Sequence, residues 1–241
     1  MDDFFSRSEA LLGAEGMNAL RTKRVIIFGV GGVGSYAAEA LIRTGLTHLT
    51  IVDDDTVQPS NINRQLPATH ATLGRPKVEA LKERLLTINP EAEIVAISER
   101  YTPETSFNFP YGASRSIELS TFNYIIDAID SVNDKADLII NATRARGVKI
   151  FSSMGAALRF DPTQVTTGEL MDIKGDALAK AVRARMKKIG QKPSRKVQCV
   201  YSTEQAQQCE TRGSLMQVTA VFGCTLAALV MNTIRNSLKK Q

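Results

Sequence analysis

Short apolar runs separated by helical patterns fill most of the chain. Val25-Ile26-Ile27-Phe28 is continuously apolar, as expected of a strand buried on both faces. The run His48-Leu49-Thr50-Ile51-Val52 and the stretches 93–98, 124–130 and 148–152 repeat the theme. Between them the period lengthens to that of a helix. Residues 33–44 carry the small residues Ala37, Ala38 and Ala40 for close packing on a sheet. The segment after Pro76, a residue suited to a helix's first turn, sets Val78, Leu81, Leu85 and Ile88 on one face. A further helix is expected over 132–146. Strands alternating with helices predict an α/β fold, a Rossmann-like and mostly parallel sheet flanked by helices.

The ends and the middle are less regular. Residues 4–22 read as a helical lead-in anchored by Leu11, Leu12, Met17 and Leu20. Residues 102–120, with Pro103, Pro110, Gly112 and four serines, read as a loop or short irregular excursion. Further strands are expected within 159–169, around Asp161-Pro162, and a last one over 197–202, so the C-terminal half extends the fold with extra strands and helices. The uncharged run 215–234 is long enough to span a bilayer. Its Gln217, Thr219, Thr225, Asn232 and Thr233 suit a buried helix in a soluble core or dimer better, so no membrane span is expected.

Composition narrows the class. Hydrophobic residues make up 43% of the 241, enough for a sizeable core, and 23% charged residues suit a soluble protein. The N-terminus lacks a basic-then-apolar pattern, so a cytoplasmic location is expected. Cys199, Cys209 and Cys224 include no C-x-x-C pair, which excludes a tetrathiolate zinc site within one chain. Cys199 and Cys224 sit in apolar patterns and read as core, leaving Cys209 as the reactive thiol. The net charge is +5, and it is concentrated: residues 174–196 hold nine basic residues and one acid. A helix over 176–189 would place Leu178, Val182, Met186 and Ile189 on one face and Lys180, Arg183 and Lys187 nearly opposite. Lys188, Lys192, Arg195 and Lys196 continue the patch. Such clustering fits phosphate-backbone binding, and without aromatics it would position a nucleic acid rather than read it.

Chemistry concentrates in residues 29–64. Gly29-x-Gly31-Gly32-x-Gly34 follows the first strand and opens a helix. Asp53, 19 residues past Gly34, ends the next strand. This is one nucleotide-binding βαβ half: phosphate at a helix N-terminus, and a carboxylate for a ribose hydroxyl. A dinucleotide site has no need of Asn61, Arg64 and Lys77, whereas triphosphate chemistry does. Asp130 falls at the carboxyl end of a strand, as a metal candidate or, with Ser131, a cap for the helix that follows.

The order Gly29-x-Gly31-x-x-Gly34, Asp53-x-Asp55, Ser60-Asn61-x-Asn63-Arg64-Gln65, Lys77 and Asp127-x-x-Asp130 resembles the ubiquitin-activating-like adenylyltransferase superfamily. Ala38-Glu39-Ala40-Leu41, Asp127-Ala128-Ile129-Asp130-Ser131 and Asp161-Pro162-Thr163-Gln164 resemble its tRNA threonylcarbamoyladenosine dehydratase branch. The resemblance implies ATP-dependent activation of a carboxylate as an adenylate on tRNA, followed by ring closure. It implies Arg64, Lys77 and Asp130 as catalytic residues, with Mg²⁺ on Asp130. Gly29, Gly31, Gly32, Gly34, Asp53, Asp55, Asn61, Gln65 and Ser131 would join them around ATP. It further implies a homodimer whose Arg7 reaches the neighbour's site, and leaves open a cysteine-desulfurase sulfur-transfer partner. Residues 1–241 would form a single adenylating domain, with a nucleotide-binding half (1–150) and a substrate-binding, dimer-forming half (151–241). Two alternatives stay open: adenylation of a small carrier protein's C-terminus, against which the missing C-x-x-C pairs weigh, and a nicotinamide-dependent dehydrogenase or nucleotide-sensing protein, against which Asn61, Arg64 and Lys77 weigh.

Overall fold

Val25 and Ile27 pack into one apolar cluster and Ile26 and Phe28 into another, so a single strand feeds two cores. That is the period-2 alternation of a strand covered on both faces. The computed structural model describes residues 4–102, 106–108 and 114–239, with backbone alone at 106–108 and 114–116. In chain order the first elements are α1 (Ser6–Arg21), β1 (Arg24–Phe28), α2 (Gly34–Thr44), β2 (His48–Val52), α3 (Lys77–Ile88) and β3 (Glu93–Ile97). A small pair follows, β4 (Ser106–Asn108) and β5 (Ser114–Ser116). Then come β6 (Tyr124–Asp127), α4 (Val132–Arg144), β7 (Lys149–Ser153), β8 (Val165–Glu169), α5 (Ala177–Lys188), β9 (Gln198–Ser202) and α6 (Met216–Leu238).

Seven strands form the main sheet in the order β3-β2-β1-β6-β7-β9-β8. All neighbours are parallel except β8, which runs antiparallel to β9. One face is covered by α2, α3 and α6 through Leu41, Leu81, Phe222, Leu226 and Val230. The other is covered by α4 and α5 through Ala136, Ile139, Val182 and Met186. The expected α/β class is therefore observed, with β8 and β9 extending the sheet on the C-terminal side. Of the described helices, α6 alone is long and apolar enough to cross a membrane, and 44% of its most apolar window is buried against the chain.

Four expectations change. Leu11 is exposed, not an anchor: Gly13 at φ 72 breaks α1, and only the part beyond it buries Met17 and Leu20. Within 102–120, β4 and β5 pair as an antiparallel ladder, Ser106 opposite Ser116, where polar residues had suggested only a loop; 103–105 and 109–113 lie outside the described residues. Of 159–169 only Val165–Glu169 is strand, because Pro162 opens a single tight turn that Asp161 caps through Thr163 N (2.9 Å). Cys224 is exposed on α6 rather than core, so it joins Cys209 at the surface, while Cys199 is buried and burial pushes its thiol up.

Glu39 ties α2 to α3. It accepts from Arg43 Nε at 2.8 Å and, across the helices, from Arg84 Nε at 2.6 Å. Burial alone would raise its carboxyl, but the two guanidinium hydrogen bonds outweigh that and hold it below the usual range. A depressed carboxylate contributes stability that is present above its unfolded pKa and lost as pH falls through the folded one. Glu39→Gln is therefore expected to cost about 1 kcal/mol near neutral pH, the scale of a partly exposed charged hydrogen bond. The difference from wild type should vanish below the carboxylate range. Urea melts at several pH values check this.

Candidate nucleotide site

Where β1 ends the chain must turn sharply into α2. Gly29 adopts φ +86, and a Cβ at Gly34 would stand 1.8 Å from Gly29 O, so only glycine closes this turn. Asp53, at the end of β2, holds the turn in place. Its Oδ2 accepts from Val30 N at 2.7 Å and its Oδ1 from Asp55 N at 3.0 Å. Burial pushes the Asp53 carboxyl up, while Lys77 and the two N–H groups pull the other way. From β1 the chain runs outward through β2 to β3 and returns on β6, so β1 and β6 flank a topological switch point. A cavity of about 480 Å³ opens there, at the carboxyl ends of the strands.

Of the residues singled out from the sequence, Gly29, Gly31, Gly32, Asp53, Asp55, Asn61, Arg64, Gln65, Lys77, Asp130 and Ser131 line this cavity. Gly34 lies behind it, packed on Gly29 and Ile27. Arg7 is exposed on α1 and does not reach the cavity of its own chain. Lys77 begins α3 almost fully buried, and its Nζ donates to Asp55 Oδ2 at 2.6 Å. Arg64 Nη1 donates to Ser60 O and Asn63 Oδ1 at 2.9 and 2.8 Å. Asn61 uses its Oδ1 to accept from Gln58 N at 3.0 Å, which fixes the loop. Gln65 Oε1 is buried without a hydrogen-bond partner among the described residues, an acceptor on the cavity wall.

The acids separate by environment. Asp130 is exposed at the cavity. Neither it nor Ser131 caps α4 through a side chain: Ser131 occupies the cap position but makes no cap bond. Asp127 is fully buried and structural. Its Oδ2 accepts from Lys135 Nζ at 2.7 Å and from Ser152 Oγ, and its Oδ1 from Ile129 N at 3.1 Å. Asp53, Asp54 and Asp55 form the one group of three metal-competent ligands among the described residues.

The opposite wall is Ser153, Met154, Gly155, Ala156 and Ala157. Asp176 fixes it: Oδ2 accepts from Gly155 N at 3.1 Å, and Oδ1 from Ala179 N at 2.8 Å as the cap of α5. The buried Arg159 guanidinium stands 4.0 Å from that carboxylate. Arg212 and Ser214 also line the cavity and were not found from the sequence. Leu158 N donating to Gly213 O (2.9 Å) and Asn63 Nδ2 donating to Ser214 O (2.9 Å) fold that segment back over the site. Its only sequence signal was Arg212 at the edge of an apolar run.

In the basic segment Lys180, Lys187, Lys188, Lys192 and Lys196 are exposed. Two members differ from expectation. Arg183 is half-buried, its Nη1 donating to Leu170 O at 2.8 Å, rather than facing solvent opposite the packed face. Arg195 donates from Nη2 to Ala142 O and Ala145 O, the free carbonyls at the end of α4.

The model of the ThiF family matches residues 5–241. The chain belongs to the ThiF family. Among its ThiF-family relatives, the tRNA threonylcarbamoyladenosine dehydratase of Bacillus subtilis is 41% identical over 201 residues, covering 83% of this chain and 74% of that one. That of Haemophilus influenzae is 34% identical over 242 residues, covering 92% and 88%. The crystal structure of the Escherichia coli tRNA N6-threonylcarbamoyladenosine dehydratase in complex with AMP superposes with a TM-score of 0.89 at 32% identity, covering 99% of this chain and 96% of that one. The same enzyme in complex with ATP gives 0.87.

The buried Asp127–Lys135 pair lies next in sequence to the cavity residues Ala128 and Asp134 and yields a prediction. Lys135→Met leaves the Asp127 carboxylate buried without its cation and should cost about 3–5 kcal/mol. Adding Asp127→Asn should recover part of that loss, because the uncompensated charge is gone. Denaturant unfolding of both variants measures it; equal losses would mean that the charge itself does not matter.

Proposed function

We propose that the chain is an ATP-dependent tRNA threonylcarbamoyladenosine dehydratase acting as one adenylating domain in the cytoplasm. The observation that carries the reading is the meeting of Arg64, Lys77 and Arg212 with the glycine turn and the Asp53–Asp55 carboxylates around one cavity. Cations and an N-terminal helix end suit a polyphosphate, and carboxylates suit a ribose or a metal. The likeness to an enzyme crystallised with AMP and with ATP over nearly the whole chain supports the same substrate here.

In the proposed reaction a carboxylate oxygen of the threonylcarbamoyl group attacks the α-phosphorus of ATP, and pyrophosphate leaves. The neighbouring carbamoyl group then attacks the activated carbonyl, AMP leaves, and the ring closes with net loss of one water. The nucleophile belongs to the substrate, so positioning supplies much of the rate. Arg64 and Lys77 would offset charge on the phosphates, and Lys77 would do so by exchanging its Asp55 partner for a phosphate oxygen. Asp53 would accept from the ribose and Gln65 Oε1 would receive a donor from the nucleotide. The oxygen-rich acids fit a hard cation such as Mg²⁺, with Asp130 and Asp55 as holders; when bound it would neutralise phosphate charge.

The exposed basic face of α5 would hold tRNA phosphates through Lys180, Lys187 and Lys188. Arg7 and Leu11 lie one helical turn apart and both are exposed, Leu11 at 88%. In a homodimer a partner covering exposed Leu11 would also receive Arg7 at its nucleotide site.

The test is mass analysis of nucleosides after incubation of ATP, Mg²⁺ and threonylcarbamoyladenosine-bearing tRNA with the protein. AMP formation with loss of one water from the nucleoside is expected. Arg64→Ala or Lys77→Ala should each lower turnover about a hundredfold or more, the scale for one transition-state donor. AMP release that requires a small carrier protein and ignores tRNA would overturn the reading. For the dimer, mixing inactive Arg7→Ala with inactive Arg64→Ala should restore activity, because one of the two sites in a mixed dimer keeps both arginines. No recovery after exchange of subunits would place Arg7 outside the site.

A further inference from the structure

The α4–β7 turn and the α5–β9 linker lie about 50 residues apart in sequence and are pinned together in space. Ser194 N donates to Thr143 Oγ1 at 3.1 Å, and Arg195 Nη2 donates to Ala142 O and Ala145 O at 2.9 and 2.8 Å. Lys149, Arg195 and Lys196 meet on one cleft, and Arg144, Arg146 and Lys192 lie within two residues of the pinned positions. All six are exposed, and none is ion-paired with a carboxylate among the described residues. A cleft of about 560 Å³ opens between Lys149, Arg195 and Lys196, and among the described residues Glu169 is the one carboxylate on its lining.

Local structure accounts for only part of this charge. Arg144 sits in the last turn of α4, where the helix dipole favours a cation, and Arg195 caps the same helix. Arg146, Lys149, Lys192 and Lys196 have no such role. Exposed cations gathered on two pinned segments without carboxylate partners favour an anionic partner.

The place of the cluster says which part of a long polyanion it would meet. It lies at the amino ends of β7 and β9, whereas the nucleotide cavity lies at the carboxyl ends. β7 spans the interval: Lys149 begins it, and Ser153, on the cavity wall, ends it. Four steps at about 3.3 Å make roughly 13 Å. A loop nucleotide seated in the cavity cannot also lie here, so RNA held at the cluster would be RNA outside that nucleotide. We propose that this surface grips phosphates of the stem that carries the reacting RNA loop, remote from the reacting nucleotide. The inference rests on the RNA reading above and adds Arg146 and Lys149 to its contacts. Among the described residues no aromatic side chain lines the cleft beyond the buried Phe151, so the grip would be on backbone and shape rather than on bases.

The test compares wild type with the triple variant Arg146→Gln/Lys149→Gln/Lys196→Gln, leaving out Arg195 because it caps α4. Binding of full-length tRNA and of the isolated loop oligonucleotide is measured across a salt series. For full-length tRNA the triple variant should lose about tenfold or more in affinity near physiological salt, and its slope of log affinity against log salt should shrink by about 2–3, close to one per lost contact. For the loop oligonucleotide the two proteins should bind alike. Circular dichroism and the melting midpoint check folding, and the single variant Lys149→Gln should lose about one unit of slope if the triple variant is unstable. Wild-type tRNA binding that the variants leave unchanged would overturn the inference while the function stands. Equal loss on the loop oligonucleotide would move the contact to the loop and overturn it too. Absence of tRNA binding and of RNA-dependent AMP formation by wild type would instead remove the function on which the inference rests.

Discussion

A carboxylate sealed inside the protein organises the region around the site. Asp127 ends β6 with no exposure to water, and so does its partner Lys135, one turn into α4. Burying two charges is expensive, and such a pair holds only when the geometry is good and the remaining lone pairs are satisfied. Here Ser152 of β7 and the backbone N–H of Ile129 complete the set. The cost thereby fixes three things at once: how β6 meets β7, where α4 begins, and how the chain leaves β6 toward Asp130. Any other arrangement strands a buried charge.

The cavity above it is a place of balanced opposites. Lys77 is held against Asp55, and Arg100 against Asp134, so cations are kept on the wall by exchangeable partners. The glycine turn contributes without side chains, through backbone N–H groups at the start of α2, and Asp53 keeps that turn rigid from below.

What could be read beforehand follows from how local each signal is. The first βαβ half announces itself because a period-2 core strand, a glycine turn and a helix period lie within one short stretch. Asp127 and Asp130 are both acids near a strand end, and the resemblance singled out Asp130; that Asp127 is a buried ion-pair partner emerges only from packing. Lys135 had no signal at all, since a lysine early in a helix reads as solvated. Helical spacing set Arg183 on the free face, yet an arginine is long enough to reach back to Leu170 O. Arg195 read as part of a charge run until the carbonyls at the end of α4 appeared beneath it. Arg212 gave no hint of its place in the cavity, because its neighbours Gly213 and Ser214 are held by Leu158 and Asn63, both far away in the chain.

Asp176 has a mechanical meaning. A carboxylate is a rigid fork, and here one prong receives the N–H that starts α5 while the other receives the N–H of Gly155 in the cavity wall. Helix and wall therefore share a single pivot. A Cβ at Gly155 would stand 3.3 Å from the same oxygen, so a side chain there would press on the shared carboxylate. The carboxylate that caps the helix thus also anchors the chamber wall, so losing it would release both at once.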